Sequence, residues 1–217
     1  MKRHAGRPGF TLIELLATIA IVAILAVLAL TAMGAVRAQG DRAKAISNMR
    51  QIGSAIGLYA ADKDSLLPGK LWPGQVAEFD PARDGRLLLE LAPYLGLETP
   101  AKPTVIDLFM PPAYRRITPA ASLSTARTFV MNMVVSSGNS TINPWGSRAN
   151  PSDTGPLRLG NIPPTVWGFS DADRQHPRVT NASWKENTPA EPIHKKRLAW
   201  FFNGSVSAIE TTELQQP

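Results

Sequence analysis

Phe10-Thr11-Leu12-Ile13-Glu14-Leu15-Leu16 begins an apolar run that organises the rest of the chain. From Leu15 to Val36 the sequence continues for 22 residues without a charge. At 1.5 Å per residue, a helix of this length extends roughly 33 Å, which is enough to cross a hydrocarbon core about 30 Å thick. The run therefore predicts a single transmembrane helix.

Glu14 is the one charged residue in this apolar run. A lone ionised side chain inside a bilayer costs about 2.5 to 3.5 kcal/mol, so Glu14 needs a partner. No Lys, Arg or His lies between Glu14 and Arg37. The positive charge must therefore come from a new N-terminus of the chain, from a neighbouring subunit or from the lipid headgroups. Cleavage just before Phe10 would supply a free α-amine.

The residues from Gly9 to Glu14, Gly-Phe-Thr-Leu-Ile-Glu, and the apolar run behind them resemble the N-terminus of type IV pilins and type II secretion pseudopilins. The resemblance implies that a prepilin peptidase cuts between Gly9 and Phe10 and methylates the Phe10 amine. It also implies that Glu14 pairs with the N-terminal ammonium of an adjacent subunit during assembly. The implied site residues are therefore Gly9 and Phe10 for processing, and Phe10 and Glu14 for assembly.

Two other kinds of N-terminal segment share some of these features. A secretory signal peptide has an apolar region of about 7 to 15 residues that ends in a cleavage site of small residues, whereas this run is longer and carries its acid at the front. A signal-anchor helix fits better, because Lys2, Arg3 and Arg7 would hold the N-terminus in the cytoplasm. The six-residue match and the helix behind it favour the pilin-like interpretation, with a single pass through a bacterial inner membrane and a periplasmic head.

Composition indicates one domain on one membrane anchor. The roughly 180 residues beyond the apolar run suit a single modest core. The chain has no cysteine, which excludes disulfides and thiolate metal sites. Its formal charge of +6 includes three basic residues of the leader. The clusters Arg115-Arg116 and Lys195-Lys196-Arg197 favour solvated loop or strand ends over a nucleic-acid patch.

The helix is expected to continue beyond the membrane as an amphipathic segment. Apolar or small residues recur there at spacings of three and four, which is typical of one helix face. These residues are Ile46, Met49, Gly53, Ile56 and Tyr59 or Ala60. No proline interrupts residues 10–67, so we expect one helix of about 50 residues that ends at 61–65. The predicted division is leader 1–9, transmembrane and filament-core helix 10–36, amphipathic continuation 37–61, and head 62–217.

The head is rich in proline and lacks a second long helical pattern, so we expect a loop-rich β structure. Residues 84–95 predict a short helix or turn, and residues 128–135 and 165–170 predict strands. Asn203-Gly204 lies between apolar strands within 197–209, which favours a hairpin with a two-residue type I′ turn. Together these segments predict a sheet of about four strands with one face covered by the helix. The fold class is therefore α+β and pilin-like, with a long N-terminal helix packed on a small antiparallel sheet.

The C-terminal half also resembles a pilin-like group defined by a His-x9-Asp-Gly processing-associated motif. The counterpart here is His194 followed by Asn203-Gly204, with eight residues between His194 and Asn203. The spacing is one residue short, and Asn replaces Asp. A role that requires a carboxylate at the turn is thus in doubt, whereas the hairpin is not.

No motif in the head predicts an enzyme. The sequence lacks a Ser or Cys nucleophile motif, a His-Glu-x-x-His pair and a phosphate-binding glycine loop. Asp171, Asp173, His176 and His194 could meet across the sheet, although Asp171 and Asp173 suit side-chain-to-backbone hydrogen bonds at a strand end. No metal or cofactor is expected; because major pseudopilins carry a calcium site in a head loop, calcium at these two aspartates is the alternative that the resemblance implies.

The predicted function is that of a structural subunit, a pseudopilin, in a type II secretion or type IV pilus-like filament. The implied partners are prepilin peptidase, other pilin or pseudopilin subunits, the inner membrane and an assembly platform. The first alternative is a minor pilin whose head binds DNA or a surface ligand through Lys195, Lys196 and Arg197. An enzyme tethered by a pilin-like anchor ranks last, and nucleic acid is not an expected partner.

Overall fold

The computed structural model describes residues 10–137, 140–150, 152–153 and 155–215. The predicted leader at 1–9, including Gly9, lies outside the described residues, as does the predicted strand end at 138–139. The chain divides into two compact units between Gly40 and Asp41. The second half of the long helix therefore forms one compact unit with the head.

Helix α1 spans Leu12–Asp62, which makes it 51 residues long. This confirms the prediction of one uninterrupted helix of about 50 residues. Two short helices follow, α2 (Leu87–Leu91), which continues as a 3₁₀ turn at Ala92–Leu95, and α3 (Pro112–Ile117). The strands are β1 (Gly74–Val76), β2 (Glu78–Phe79), β3 (Thr104–Val105), β4 (Arg127–Met131), β5 (Val135–Ser137), β6 (Ser140–Ile142), β7 (Trp167–Asp171), β8 (Arg197–Phe201) and β9 (Val206–Ile209).

The main sheet has five antiparallel strands in the order β1-β4-β7-β8-β9. The predicted sheet had about four, because the three residues of β1 are too few to show a strand pattern in the sequence. The strand predicted at 128–135 is shorter than expected. It leaves the sheet after Met131, where the Asn132 side chain donates to the Trp167 carbonyl at 2.9 Å. Val135 then begins β5 in a separate two-stranded ribbon with β6.

One face of the sheet packs against the part of α1 that begins at Asp41. Met49, Ile52 and Ile56 are fully buried there in one cluster with Phe129 and Trp200 of the sheet. The predicted helix face is correct, with Ile46 and Tyr59 at its half-buried margins. These contacts confirm the α+β fold in which the long helix packs on an antiparallel sheet.

The opposite face of the sheet is covered as well, which the sequence did not indicate. Val130 packs with Ala172 and Val179 in one small cluster. Ala199 of β8 and Ile209 of β9 pack with Leu214 in another. Because the central strands are buried on both faces, their sequences do not alternate between apolar and polar residues as a half-exposed strand does.

The C-terminal hairpin forms as predicted, but its turn is different. Gly204 has φ of 84°, while Asn203 does not have a positive φ. Gly204 N–H donates to Phe201 O at 2.8 Å, and Phe201 N–H donates to Ser205 O at 2.9 Å, which defines a three-residue loop. The Asn203 side chain accepts from Ser205 N–H at 2.9 Å. The type I′ prediction is wrong because only Gly204 needs the left-handed conformation in this type of loop.

Gly53→Ala is expected to destabilise the head, whereas Gly57→Ala is expected to stabilise it. A Cβ at Gly53 would lie 2.7 Å from Trp200 Cδ1, so the indole or the helix must shift, and overpacking of this kind costs about 1–3 kcal/mol. A Cβ at Gly57 meets nothing within 4 Å, and alanine gains up to about 1 kcal/mol in helix propensity. Denaturant unfolding of both variants checks the prediction, and the opposite order of stabilities would contradict close packing of the helix on Trp200.

Candidate functional site

The start of α1 is a capping box formed by Thr11 and Glu14. Thr11 precedes the first helical residue, and its hydroxyl oxygen lies 3.3 Å from Glu14 N as the acceptor of that N–H. Glu14 Oε2 accepts in return from Thr11 N–H at 2.9 Å and lies 2.8 Å from Thr11 Oγ1. This reciprocal arrangement satisfies backbone donors that the first helical turn otherwise leaves unpaired.

The capping box gives Glu14 a second role beside that of a charge. Both contacts with Thr11 involve Oε2, and within the described residues Oε1 accepts no hydrogen bond. The carboxylate is therefore held in one orientation with an oxygen left for another donor. Sequence reasoning missed this feature, although the Thr-x-x-Glu spacing ahead of an apolar run is its signature.

The apolar surface around this site is not covered by the described residues of its own compact unit. The large apolar side chains of residues 10–36 are each at least 57% exposed. Among the described residues, α1 is the one helix long and apolar enough to cross a membrane. A continuous apolar surface of this size requires lipid or other helices around it.

In the head, Asp173 forms a buried ion pair with Arg197. The Arg197 Nε–H donates to Asp173 Oδ2 at 2.5 Å, and Nη2–H donates to Oδ1 at 2.8 Å. The two side chains are only 3% and 1% exposed. Arg197 Nη1 also donates to Thr211 Oγ1 at 2.7 Å, which ties the start of β8 to the segment after β9.

Asp171 lies beside this pair with one oxygen unsatisfied. Its Oδ2 accepts from Leu198 N–H at 3.0 Å, whereas its buried Oδ1 has no hydrogen-bond partner among the described residues. Burial raises the pKa of Asp171 to about 7, and the nearby charge of Asp173 adds to the increase. A carboxyl group in this environment is protonated over much of the range in which an exposed one is charged.

His176 completes the buried polar group as a neutral side chain. Its Nδ1 accepts from Arg178 N–H at 3.0 Å, and its Nε2 lies 3.0 Å from Ser170 Oγ. Burial lowers the pKa of His176 to about 3, and Arg197 and Arg178 lower it further. Since Nδ1 is an acceptor, the ring proton belongs on Nε2 and is donated to Ser170.

The remaining predicted site residues lie elsewhere. His194 precedes β8 and Asn203-Gly204 follows it, so the five-residue strand separates the two parts of the motif. Burial lowers the pKa of His194, and its charged neighbours are Asp41, Arg42 and Arg116. The structure thus brings Asp171, Asp173 and His176 together but does not bring His194 to them.

The two calcium candidates are already engaged by protein groups. Arg197 contacts both oxygens of Asp173, which neutralises that carboxylate with a buried cation. Within the described ranges, no three acidic or histidine side chains are grouped closely enough to hold a metal ion. These contacts do not favour calcium at Asp171 and Asp173, and calcium binding there stays a prediction from the resemblance.

The cluster Lys195-Lys196-Arg197 is not a uniform basic surface. Arg197 is buried against Asp173, and Lys196 pairs with Glu210 at 2.6 Å. Only Lys195 of the three has no ion pair within the described residues. This arrangement gives no support to DNA binding through these three residues.

Asp171→Asn is expected to remove a pH-dependent loss of stability. The pKa of Asp171 rises from 3.8 to about 7 on folding, so between these values the folded chain holds a proton that the unfolded chain has released. The stabilisation of the folded state by this proton is complete below about pH 4. It is lost as the pH rises through about 7, which lowers the free energy of unfolding by an amount on the order of 4 kcal/mol.

His176 changes the stability with pH in the opposite direction. Because its pKa is lowered on folding, the folded state loses stability as the pH falls below about 6.5. This histidine is present in both proteins, so the difference in unfolding free energy between wild type and Asp171→Asn isolates Asp171. Denaturant unfolding from pH 4 to pH 8 measures this difference, with the variant gaining relative stability as the pH rises. A difference that does not change with pH would contradict the assigned titration.

The fold and the N-terminal site define a pilin-like α+β protein. Residues 5–30 match the family model of the prokaryotic N-terminal methylation motif. No curated protein and no solved structure gave a significant match. The N-terminal segment thus carries a motif that implies processing by prepilin peptidase, and the one long apolar helix among the described residues is consistent with an inner-membrane pilin. Proteins of this kind are typically not enzymes.

Proposed function

We propose that this chain is a structural subunit, a pseudopilin, of a type II secretion or type IV pilus-like filament. In this proposal, prepilin peptidase cuts between Gly9 and Phe10 on the cytoplasmic side and methylates the new amine. The processed protein waits in the inner membrane with its head in the periplasm. An assembly platform then transfers it into a filament in which the segment from Phe10 to Val36 packs against sister helices.

The proposal rests on one observation: the segment that matches the methylation motif continues as a long helix with exposed apolar side chains. Residues 5–30 match the motif, and the large apolar side chains of residues 10–36 are uncovered. Apolar helices gain little from one another in lipid by hydrophobicity alone, so their association depends on close packing and on polar contacts. Glu14 is the one ionisable side chain available for such a contact in this segment.

The geometry of Glu14 supports a contact between subunits. Thr11 engages only Oε2, so Oε1 can accept a hydrogen bond from the N-terminal ammonium of Phe10 in an adjacent subunit. A charge-assisted hydrogen bond of this kind is about twice as strong as a neutral one. It would also set the axial register of neighbouring helices, because one amine and one carboxylate occur per subunit.

Filament formation in the native cell tests the proposal. We expect the protein to be recovered in sheared or periplasmic filaments and to stay in the inner membrane when prepilin peptidase is deleted. A chain that never leaves the membrane fraction, even when the assembly system is overproduced, would contradict a filament role. Point variants that separate the two roles of Glu14 are considered in the Discussion.

A further inference from the structure

A cavity of about 280 Å³ lies in the head beside strand β1, and neither Asp173 nor Arg197 lines it. It is lined by two tryptophans, two arginines and three small residues. These residues are Trp72, Pro73, Gly74, Arg86, Arg127, Ser183 and Trp184. Neither the methylation motif nor a filament role requires such a composition.

The two arginines are largely unsatisfied. Arg86 Nη1 and Arg127 Nη1 both donate to the same carbonyl, Gly74 O, at 3.0 and 3.1 Å. The Nε–H of each is buried and finds no hydrogen-bond partner in the part of the chain that the structure describes. Within the described residues neither forms an ion pair with an acidic side chain, although each guanidinium has five N–H donors.

Two like charges placed so close together favour a bound anion. Burial lowers the pKa of Arg86 to about 10, and the charges of Arg127 and Arg83 contribute to the decrease. The charges of Glu78 and Asp84 oppose the decrease, but these carboxylates form their ion pairs with other arginines. Glu78 and Asp80 pair with Arg83, and Asp84 pairs with Arg148.

Each of the two indoles packs against a glycine at which a side chain would clash with the indole ring. A Cβ at Gly74 would lie 2.8 Å from Trp184 Cζ2, and a Cβ at Gly85 would lie 2.7 Å from Trp72 Cδ1. Gly85 also has φ of 68°, and its carbonyl accepts from Trp72 N–H at 3.0 Å. The Arg127 guanidinium lies over the Trp184 ring, 5.8 Å from its centroid. The aromatic walls are thus fixed before any ligand arrives.

From this geometry we propose that the cavity binds one carboxylated sugar residue, such as a uronate, of an acidic saccharide. A planar carboxylate matches the N–H donors of a guanidinium, and among the described residues the Nη2 of each arginine donates no hydrogen bond. The C–H face of the sugar ring would pack against an indole, whose ring face carries partial negative charge. The volume suits roughly one ring and its acid group, because sites for drug-sized ligands begin at about 300 Å³.

A single-stranded nucleic acid fits the surroundings less well. Proteins that bind such strands combine stacking side chains with a positive groove that follows the backbone. Here the neighbouring arginines outside the cavity, Arg83 and Arg148, pair with the carboxylates of Glu78, Asp80 and Asp84, so the surroundings are of mixed charge. One anionic group on one ring is therefore favoured over a chain of phosphates.

Calorimetric titration of the full chain in detergent micelles tests the inference. The probe is a trimer of galacturonic acid, and the matched probe is the uncharged trimer of galactose. We expect the acidic trimer to bind with Kd below about 1 mM and the neutral trimer to bind at least about tenfold more weakly. Arg86→Gln and Arg127→Gln should each weaken binding at least about tenfold, because each removes a charged donor pair.

Arg115→Gln is the matched control, since it removes an exposed arginine that pairs with Asp107 elsewhere on the head. It should leave binding unchanged. If the arginine variants fail to fold, Trp72→Ala carries the test, because this side chain is 37% exposed and its loss should still reduce binding. The inference is overturned if the acidic trimer does not bind, if both trimers bind equally, or if all variants bind alike. It is also overturned if a thymidine oligonucleotide binds in preference and is lost in the same variants, since the occupant would then be a nucleic acid.

Discussion

Glu14→Gln is expected to reduce filament assembly more than tenfold while leaving membrane insertion and the helix start intact. Glutamine keeps a carbonyl oxygen that can accept from Thr11 N–H, so the cap survives. It cannot pair as an anion with the ammonium of a neighbouring subunit. A loss of about 1.4 kcal/mol per subunit contact already changes an association constant tenfold, and a charge inside lipid is worth more than that.

Thr11→Val is the matched variant, because it removes the capping hydroxyl and keeps the charge of Glu14. Loss of a cap costs about 1 kcal/mol of helix stability, so we expect a modest effect on assembly. The measurement is the amount of subunit in sheared filaments relative to the amount in the membrane, for both variants and wild type. Normal filaments from Glu14→Gln would show that Glu14 serves only as a cap.

Arg197→Met is expected to destabilise the head by about 3–5 kcal/mol. Removing one partner of a buried ion pair leaves the other charge uncompensated, and Asp173 is only 1% exposed. The contact with Thr211 is lost as well. For a protein whose total stability is about 5–15 kcal/mol, a change of this size lowers the unfolding midpoint strongly.

Lys196→Met is the control at the adjacent position. It breaks the ion pair between Lys196 and Glu210, whose side chains are 58% and 60% exposed respectively. Such surface pairs contribute about 1 kcal/mol or less to the free energy of unfolding. Denaturant unfolding of the full chain in micelles, followed by tryptophan fluorescence, compares the two variants. Equal losses of stability at positions 196 and 197 would contradict the burial of the Asp173–Arg197 pair.

The parts of the fold that local sequence patterns determine could be predicted from the sequence. The apolar run and the face that contains Met49 and Ile56 predict the long helix, because helical periodicity is a local property. The hairpin around Asn203-Gly204 could be predicted in the same way. Its turn type could not, because the Asn-Gly pair alone does not show that the loop has three residues with only Gly204 at positive φ.

The parts that depend on contacts distant in sequence could not be predicted. Asp173 and Arg197 are 24 residues apart, and the sequence made one a calcium candidate and the other a surface cation. The cavity joins Arg86 to Arg127 through a carbonyl of β1, a strand of only three residues. The capping box of Thr11 and Glu14 is different, because its spacing is local and was open to prediction.

Mass spectrometry of the N-terminal peptide, from protein recovered from the native cell envelope, tests the central claim most directly. A filament subunit processed by prepilin peptidase must yield a peptide that begins at Phe10 and carries one added methyl group. An intact Met1 terminus would instead indicate a signal-anchored domain, and cleavage beyond Val36 would indicate a secreted protein. Either of these two results would contradict assembly through Phe10 and Glu14.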